Sequence, residues 1–523
     1  MATNLLNDVL LLKLCRDDGQ TCVTEQGEIL SANPSSVNLV AILEYVQRLP
    51  IMSGKEPVIT QVSLDYVEKL LEEHTQNVEI EQKNDDSSLA AQLLALCQKA
   101  VELDASDIHI EIYREKTKIL VRVDGRREVL TELASGKSAL HLDRDTGITL
   151  ATYIFSTLGN TDIHIHDPAN DSFNINLSWN GHSKNFEFRS ALIPIYRGLK
   201  VTLRSLTPRD KPRRLCDMNL LPSYGNVITN NMSRRSGAIL VTGPMGSGKS
   251  SLVWAMLDLL DSTARCIHAL EDPVEFEQEG IAKTLVEPTK ETKSGSGVYR
   301  DYAYYAKEQL RHDIDVTFFG ELRGKATSSE FAWKATTGGL AIATLHTNSA
   351  PGVPQTLIEN MHLSPATVAS PDFLNLLIHT KLVRRLCPHC SLTFAQASEI
   401  DEYISLTDQV KKLLPSSYQN VRFKNIKHQN DCKYCSGKGE KGRVSVMEMI
   451  VVTDVDREFI LNKNFLGWKK HLKEIGWVSI QDHVLSRIAK GEVDINSASE
   501  QIDNLISTPP EEIYKQIREE LEL

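Results

Sequence analysis

Eight residues constrain this chain more than any others: Gly243-Pro-Met-Gly-Ser-Gly-Lys249-Ser250. An apolar run, Ala238-Ile-Leu-Val241, precedes them, and a helical pattern with Leu252, Val253, Met256, Leu257 and Leu260 on one face follows. Strand, glycine loop, then helix is the setting in which such a pattern cradles phosphate. The glycines let successive N–H groups turn around an anion, and the helix aims its positive end at the same point. In that frame Gly243, Gly246, Ser247 and Gly248 wrap the phosphates, with Ser251 completing the set. Lys249 reaches the β- and γ-phosphates, and the Ser250 hydroxyl sits on Mg²⁺. A nucleoside triphosphate, ATP by default, is the expected ligand.

At 523 residues the chain exceeds a single core and is expected to divide into about three or four domains. It has no apolar run of the roughly 20 residues needed to span a bilayer. The N-terminus, Met1-Ala-Thr-Asn-Leu-Leu-Asn-Asp8, lacks the basic start of a signal peptide. A cytoplasmic location follows as the expectation. The net charge of −11 argues against a nucleic-acid partner, which calls for a basic surface.

Nine cysteines are an odd number, which argues against a full disulfide framework. Four of them form two C-x-x-C pairs, Cys387-Pro-His-Cys390 and Cys432-Lys-Tyr-Cys435. Two such pairs bring four thiolates to one tetrahedral Zn²⁺, and a full protein ligand set makes the site structural. A redox pair or idle thiols are the alternatives. His389, inside the first knuckle, reads as a bystander.

Residues 1–87 mix apolar segments with polar turns and read as a docking domain without chemistry of its own. A helical pattern from Val62 to Leu71 closes them, and Gln82-Lys-Asn-Asp-Asp-Ser-Ser88 reads as a linker. Residues 88–206 begin with a helix and continue through alternating strands at Ala105–Glu111, Lys118–Asp124, Phe173–Leu177, Phe186–Arg189 and Lys200–Arg204, an α+β domain. His164 and His166 share a strand face there, without a third ligand. Arg189 and Arg204 stand on sheet strands, from which an arginine can be offered to a γ-phosphate on a neighbouring subunit. On the residues alone, a surface salt bridge is the plainer role. Residues 207–217 are a charged, proline-bearing linker, read as a hinge in preference to a basic nucleic-acid patch.

Residues 218–383 form the core around the phosphate loop. Acidic and histidine residues end three of its apolar strands: Cys266–Leu270 leads to Glu271-Asp272, Asp315–Phe319 to Gly320-Glu321, and Leu340–Leu345 to His346. In an open parallel sheet, ligands sit outside the carboxyl ends of strands, so these tips are expected to converge on the loop. A carboxylate there holds Mg²⁺ through water and orients the attacking water, and a histidine senses the γ-phosphate. Pro288–Gly297, between the first two tips, reads as a flexible loop. A zinc-knuckle subdomain at 384–448 and a helical region at 449–523 follow, with Trp468, Leu472, Ile475 and Trp477 as core candidates.

With these residues in view the chain resembles the hexameric secretion ATPases of type II secretion and type IV pilus assembly. The resemblance rests on Ala105-Ser-Asp-Ile-His-Ile-Glu111, Arg122-Val-Asp-Gly125, the phosphate loop, Glu271-Asp-Pro-Val-Glu275, Gly320-Glu-Leu-Arg323, Thr337-Gly-Gly-Leu340 with Thr344-Leu-His-Thr-Asn348, and the cysteine knuckles followed by Gly442-Arg-Val-Ser-Val-Met-Glu448. It implies an α/β fold: a RecA-like P-loop NTPase domain preceded by a PAS-like α+β domain and a small N-terminal domain, with a zinc-binding insert. Glu321 is then the carboxylate that polarises the attacking water, Glu271 and Asp272 complete the Mg²⁺ and water network, and His346 meets the γ-phosphate. Arg189 and Arg204 match the arginines that the second domain extends toward the nucleotide.

The implied partners are five further copies in a homohexamer and an inner-membrane platform protein with its cytoplasmic companions. Pilus extension is favoured over retraction because retraction ATPases typically lack the zinc knuckles and the N-terminal region. Type II secretion is the alternative, followed by a DNA-translocating motor and a non-catalytic nucleotide switch. Three departures stand out: Gly339 where the family usually has histidine, His312-Asp-Ile-Asp315 in place of Gln-Asp-Pro-Asp, and Gly324 where aspartate is common.

Overall fold

The computed structural model describes residues 11–522, except 12–13, 16–17, 37–38, 48, 50–51, 53–56, 141, 160, 162–165, 180, 207–212, 426–431 and 507–508, and gives 72–87 as helix only. The His164–His166 pair and most of the 207–217 linker therefore lie outside the described residues. His166 itself sits in a turn.

The sheet that carries the phosphate loop has seven strands. In spatial order they are Ile281–Leu285, Ile267–Glu271, Val316–Phe319, Leu340–Leu345, Gly237–Thr242, Leu374–Leu386 and Glu440–Val451. Every neighbouring pair is parallel except the last. Parallel strands are covered on both faces and so read as unbroken apolar runs. Gly237–Thr242 and Leu340–Leu345 are buried at every position, in keeping with that rule. One face packs under Phe331, Leu357, Phe373, Trp468 and Leu472. The other packs under Leu252, Met256 and Leu257 of the helix Lys249–Leu257, together with Ile228 and Met232.

The second sheet is antiparallel, in the order Arg126–Val129, Lys116–Val123, Ala105–Ile112, Gly198–Leu206, His182–Ile195 and Ala169–Trp179, with Leu142–Asp143 beside Lys116–Val123. One face buries Ile108, Ile110, Phe173, Phe186 and Phe188 against Leu93, Leu96 and Phe155. The other face, turned toward the phosphate loop, is charged.

Three expectations are corrected. Gln82–Ser88 is not a linker, because it lies within one helix, Leu64–Glu102. Its Asn, Asp and Ser are poor helix formers, but the apolar turns at either end, Val67 and Leu70 on one side and Leu93 and Leu96 on the other, are anchored in separate cores and carry the helix across. Pro288–Gly297 contributes to a small hairpin, Glu287–Glu291 with Tyr299–Arg300, whose turn is held by Glu291 accepting the N–H groups of Gly295 and Gly297. Ile475 is 64% exposed, whereas Trp468 and Leu472 are buried. The helices after residue 449 are shared between two cores: Trp468 and Leu472 join the sheet, while Val484, Ile488, Ile495 and Ile502 join Phe394, Val410 and Phe423 of the cysteine-bearing insert.

Candidate functional site

The phosphate loop joins the strand Gly237–Thr242 to the helix Lys249–Leu257. Gly243 has φ of 150°, and a Cβ there would lie 2.3 Å from the Thr380 carbonyl oxygen and 2.6 Å from Ser247 Oγ. Glycine is required at that position. Gly248, at φ 88°, stands at the N-cap and offers the helix no side-chain cap. The N-terminal end of the helix dipole and the buried, unpaired Ser247 Oγ form a cradle for an anion. The Lys249 ammonium donates to the carbonyls of Gly243 at 2.8 Å and Pro244 at 2.9 Å. Burial lowers its pKa to about 8, against the pull of Glu321.

Strand order decides which tips meet the loop. The strand ending at Leu345 is adjacent to the loop strand, the one ending at Phe319 is next, and the one ending at Glu271 is third. At ~4.8 Å per strand, the last lies about 14 Å away. His346 Nδ1 is accordingly 3.1 Å from the Gly243 carbonyl, and its Nε2 is 3.4 Å from Glu321 Oε1. Arg323 pairs with Glu321 at 2.8 Å and with Asp272 at 3.6 Å. A polar run thus extends from the loop through His346, Glu321 and Arg323 to Asp272. Arg323 is the residue in this run to which the sequence assigned no role beyond its motif.

Glu271 stands apart from that run. It is 2% exposed, with Oε1 3.0 Å from Lys283 Nζ, whose ammonium also lies over the Phe276 ring. Desolvation raises its pKa against the attraction of Lys283. Its carboxylate therefore lies against Lys283, off the run that carries Glu321 and Asp272. The distance of its strand from the loop and the buried cation on the edge strand draw it aside.

From the second sheet, Arg189 reaches Asp272 at 3.8 Å, and Arg204 lies 3.4 Å from the sulfur of Met245 in the phosphate loop. Arg204 therefore faces the phosphate loop of its own chain, and Arg189 the far end of the polar run at Asp272. Asp107 holds Arg204 at 2.9 Å and lies 3.7 Å from Arg122, which explains the carboxylate in Ala105-Ser-Asp107. Arg443, just after the cysteine knuckles, lies 3.4 Å from the Gly246 carbonyl. Two of the departures have local settings. A Cβ at Gly339 would meet Lys334 Cε at 2.3 Å, and one at Gly324 would meet nothing within 4 Å.

The four knuckle cysteines come together because Leu374–Leu386, which precedes Cys387, pairs with Glu440–Val451, which follows Cys435. All four sulfurs lie within 4.8 Å of one another, with Cys387–Cys432 at 3.7 Å and Cys390–Cys435 at 3.6 Å. Sulfurs on a tetrahedral zinc at ~2.3 Å stand about 3.8 Å apart, so the donor set fits that metal. The Gly439 N–H donates to Cys435 Sγ, the outer-shell contact that steadies a thiolate ligand. His389 packs on the Tyr434 ring and is not part of the set.

Comparison with known proteins accords with this geometry. The family model described as Type II/IV secretion system protein matches residues 82–500. Type II secretion system ATPase E of Vibrio cholerae is 30% identical over 81% of this chain and 77% of its own length. Type IV pilus assembly ATPase PilB of Myxococcus xanthus is 29% identical over 81% and 69%. Among solved structures, the Legionella pneumophila ATPase DotB superposes with a TM-score of 0.52 at 17% identity, covering 77% of this chain and 92% of its own, a likeness of fold.

Proposed function

Since the chain belongs to the type II/IV secretion system protein family and is a secretion or pilus motor ATPase, we propose that it hydrolyses Mg²⁺-bound ATP as a homohexamer to extend a type IV pilus at the inner membrane. The observation that carries the chemistry is the run from Lys249 and Gly243 through His346 to Glu321. Gly243, Gly246, Ser247, Gly248 and Ser251 would hold the phosphates, Ser250 the Mg²⁺, and Lys249 the β- and γ-oxygens. Glu321 orients the attacking water, with Asp272 beside it through Arg323. Arg189 and Arg204 bring the second domain onto the nucleotide, so turnover rotates that domain about the 207–217 hinge.

Zinc on Cys387, Cys390, Cys432 and Cys435 would brace the insert that faces the platform protein, with the N-terminal region 1–87 as a further docking domain. The proposed cytoplasmic location is peripheral to that membrane. Among the described residues no helix is long and apolar enough to cross it. Type II secretion stands as the second reading because relatives named for it match at identities similar to those named for pilus assembly. Steady-state hydrolysis by the full chain, with the cytoplasmic domain of a platform protein or with DNA, tests the reading. Stimulation by a pilus platform domain supports it. Stimulation by a type II secretion platform alone moves the chain to the second reading, and stimulation by DNA overturns both.

A further inference from the structure

The helix Pro510–Glu520 lies beyond the family match, which ends at residue 500, and none of its residues is buried. Its sequence is nevertheless not that of a helix bathed in water on every side. Ile513, Ile517 and Leu521 recur at i, i+4 and i+8 with Tyr514 beside them, and they are 40% to 65% exposed. Glu511, Glu512, Glu519, Glu520 and Glu522 flank the stripe against Lys515 and Arg518 alone. A helix this short is marginal by itself in water, and an apolar stripe of this kind calls for a covering surface.

We propose that this helix docks on a second copy of the chain, across the outward face of the helix Phe465–Glu474. Leu466 there is 87% exposed, and Lys470 and Lys473 follow it at i+4 and i+7, opposite the buried Trp468 and Leu472. Leu461, 51% exposed, extends the apolar surface. Lys463 is paired with Glu359 at 3.0 Å, but Lys469, Lys470 and Lys473 stand against Glu474 alone within residues 461–478, so a basic apolar face meets an acidic apolar helix. The Lys470–Glu474 pair is exposed at 3.8 Å and exchanges at little cost. A second copy fits better than the same chain: Ile502 and Leu505, just before the acidic helix, belong to the core of the cysteine-bearing insert, whereas Trp468 and Leu472 belong to the core on the phosphate-loop sheet.

The inference rests on the homo-oligomer proposed above, and the test separates the two. A photocrosslinking residue at position 517 of the full chain, irradiated with ATP present, should give multimers whose joined peptide falls in 461–478. Lys470→Glu with Lys473→Glu should raise the concentration needed for assembly about tenfold, and adding Glu512→Lys with Glu519→Lys should restore it. Multimers that form without this crosslink, or with one confined to a single chain, overturn the contact and leave the ring standing. A full chain that stays monomeric at all concentrations overturns both.

Discussion

The phosphate loop and the cysteine knuckles are both built by the same sheet, yet they depend on it differently. The loop works because strands far apart in sequence end side by side, so Gly243, Glu321 and His346 meet through long-range parallel pairing. The knuckles need one antiparallel pair, Leu374–Leu386 with Glu440–Val451, and each half closes locally. A site assembled from many strand tips fails in its chemistry when one residue changes. A site closed by a metal fails in its folding. Disabling either should leave the other standing.

The largest break should come from Lys249→Ala, which removes the cation that the loop itself supplies. Nucleotide affinity should fall at least about 100-fold in a binding titration, while metal analysis still finds one zinc per chain. Glu321→Gln should come next, with turnover reduced about 10²–10³-fold and nucleotide binding retained. Undiminished turnover would remove Glu321 from its role. Cys435→Ser tests the other half. It should release zinc and lower the melting temperature, with nucleotide affinity within a few-fold of the parent. Loss of nucleotide binding in that variant would show that the two sites are one folding unit.

Glu271→Gln sharpens the comparison inside the loop's own half. A carboxylate in a buried pair with Lys283, once removed, leaves an uncompensated ammonium and should cost about 3 kcal/mol of stability. Turnover per folded molecule should fall far less than in Glu321→Gln. Equal falls in the two variants would return Glu271 to the Mg²⁺ network.

Legibility followed the same division. Whatever depended on contiguous residues could be read: the loop between an apolar strand and a helix, the two C-x-x-C knuckles, and the three strand ends carrying Glu271, Glu321 and His346. What depended on the direction a side chain takes, or on strand order, could not. Glu271 and Asp272 are neighbours in sequence, yet one turns to a buried lysine and the other to Arg323 and Arg189. Nothing in Glu-Asp-Pro separates them. The 82–88 linker failed for a related reason: local propensity favours a break there, and anchorage at both ends overrides it. Ile475 failed because helical periodicity ends one residue before it.

The smallest expected effect is one of pH, and it belongs to the loop alone. Burial holds the folded pKa of Lys249 near 8, down from 10.5. Between those values the unfolded chain keeps the proton and the folded chain does not, so this group makes stability rise with pH across that window. Nucleotide affinity runs the other way, because a neutral amine offers the phosphates no charge. The dissociation constant should be flat below pH 8 and weaken by up to about tenfold per unit above it, with bound nucleotide drawing the proton back onto the amine. In Lys249→Arg, where the cation cannot titrate in this range, the profile should stay flat. A slope that survives in Lys249→Arg would assign the titration to another group and remove the lysine's burial as its cause.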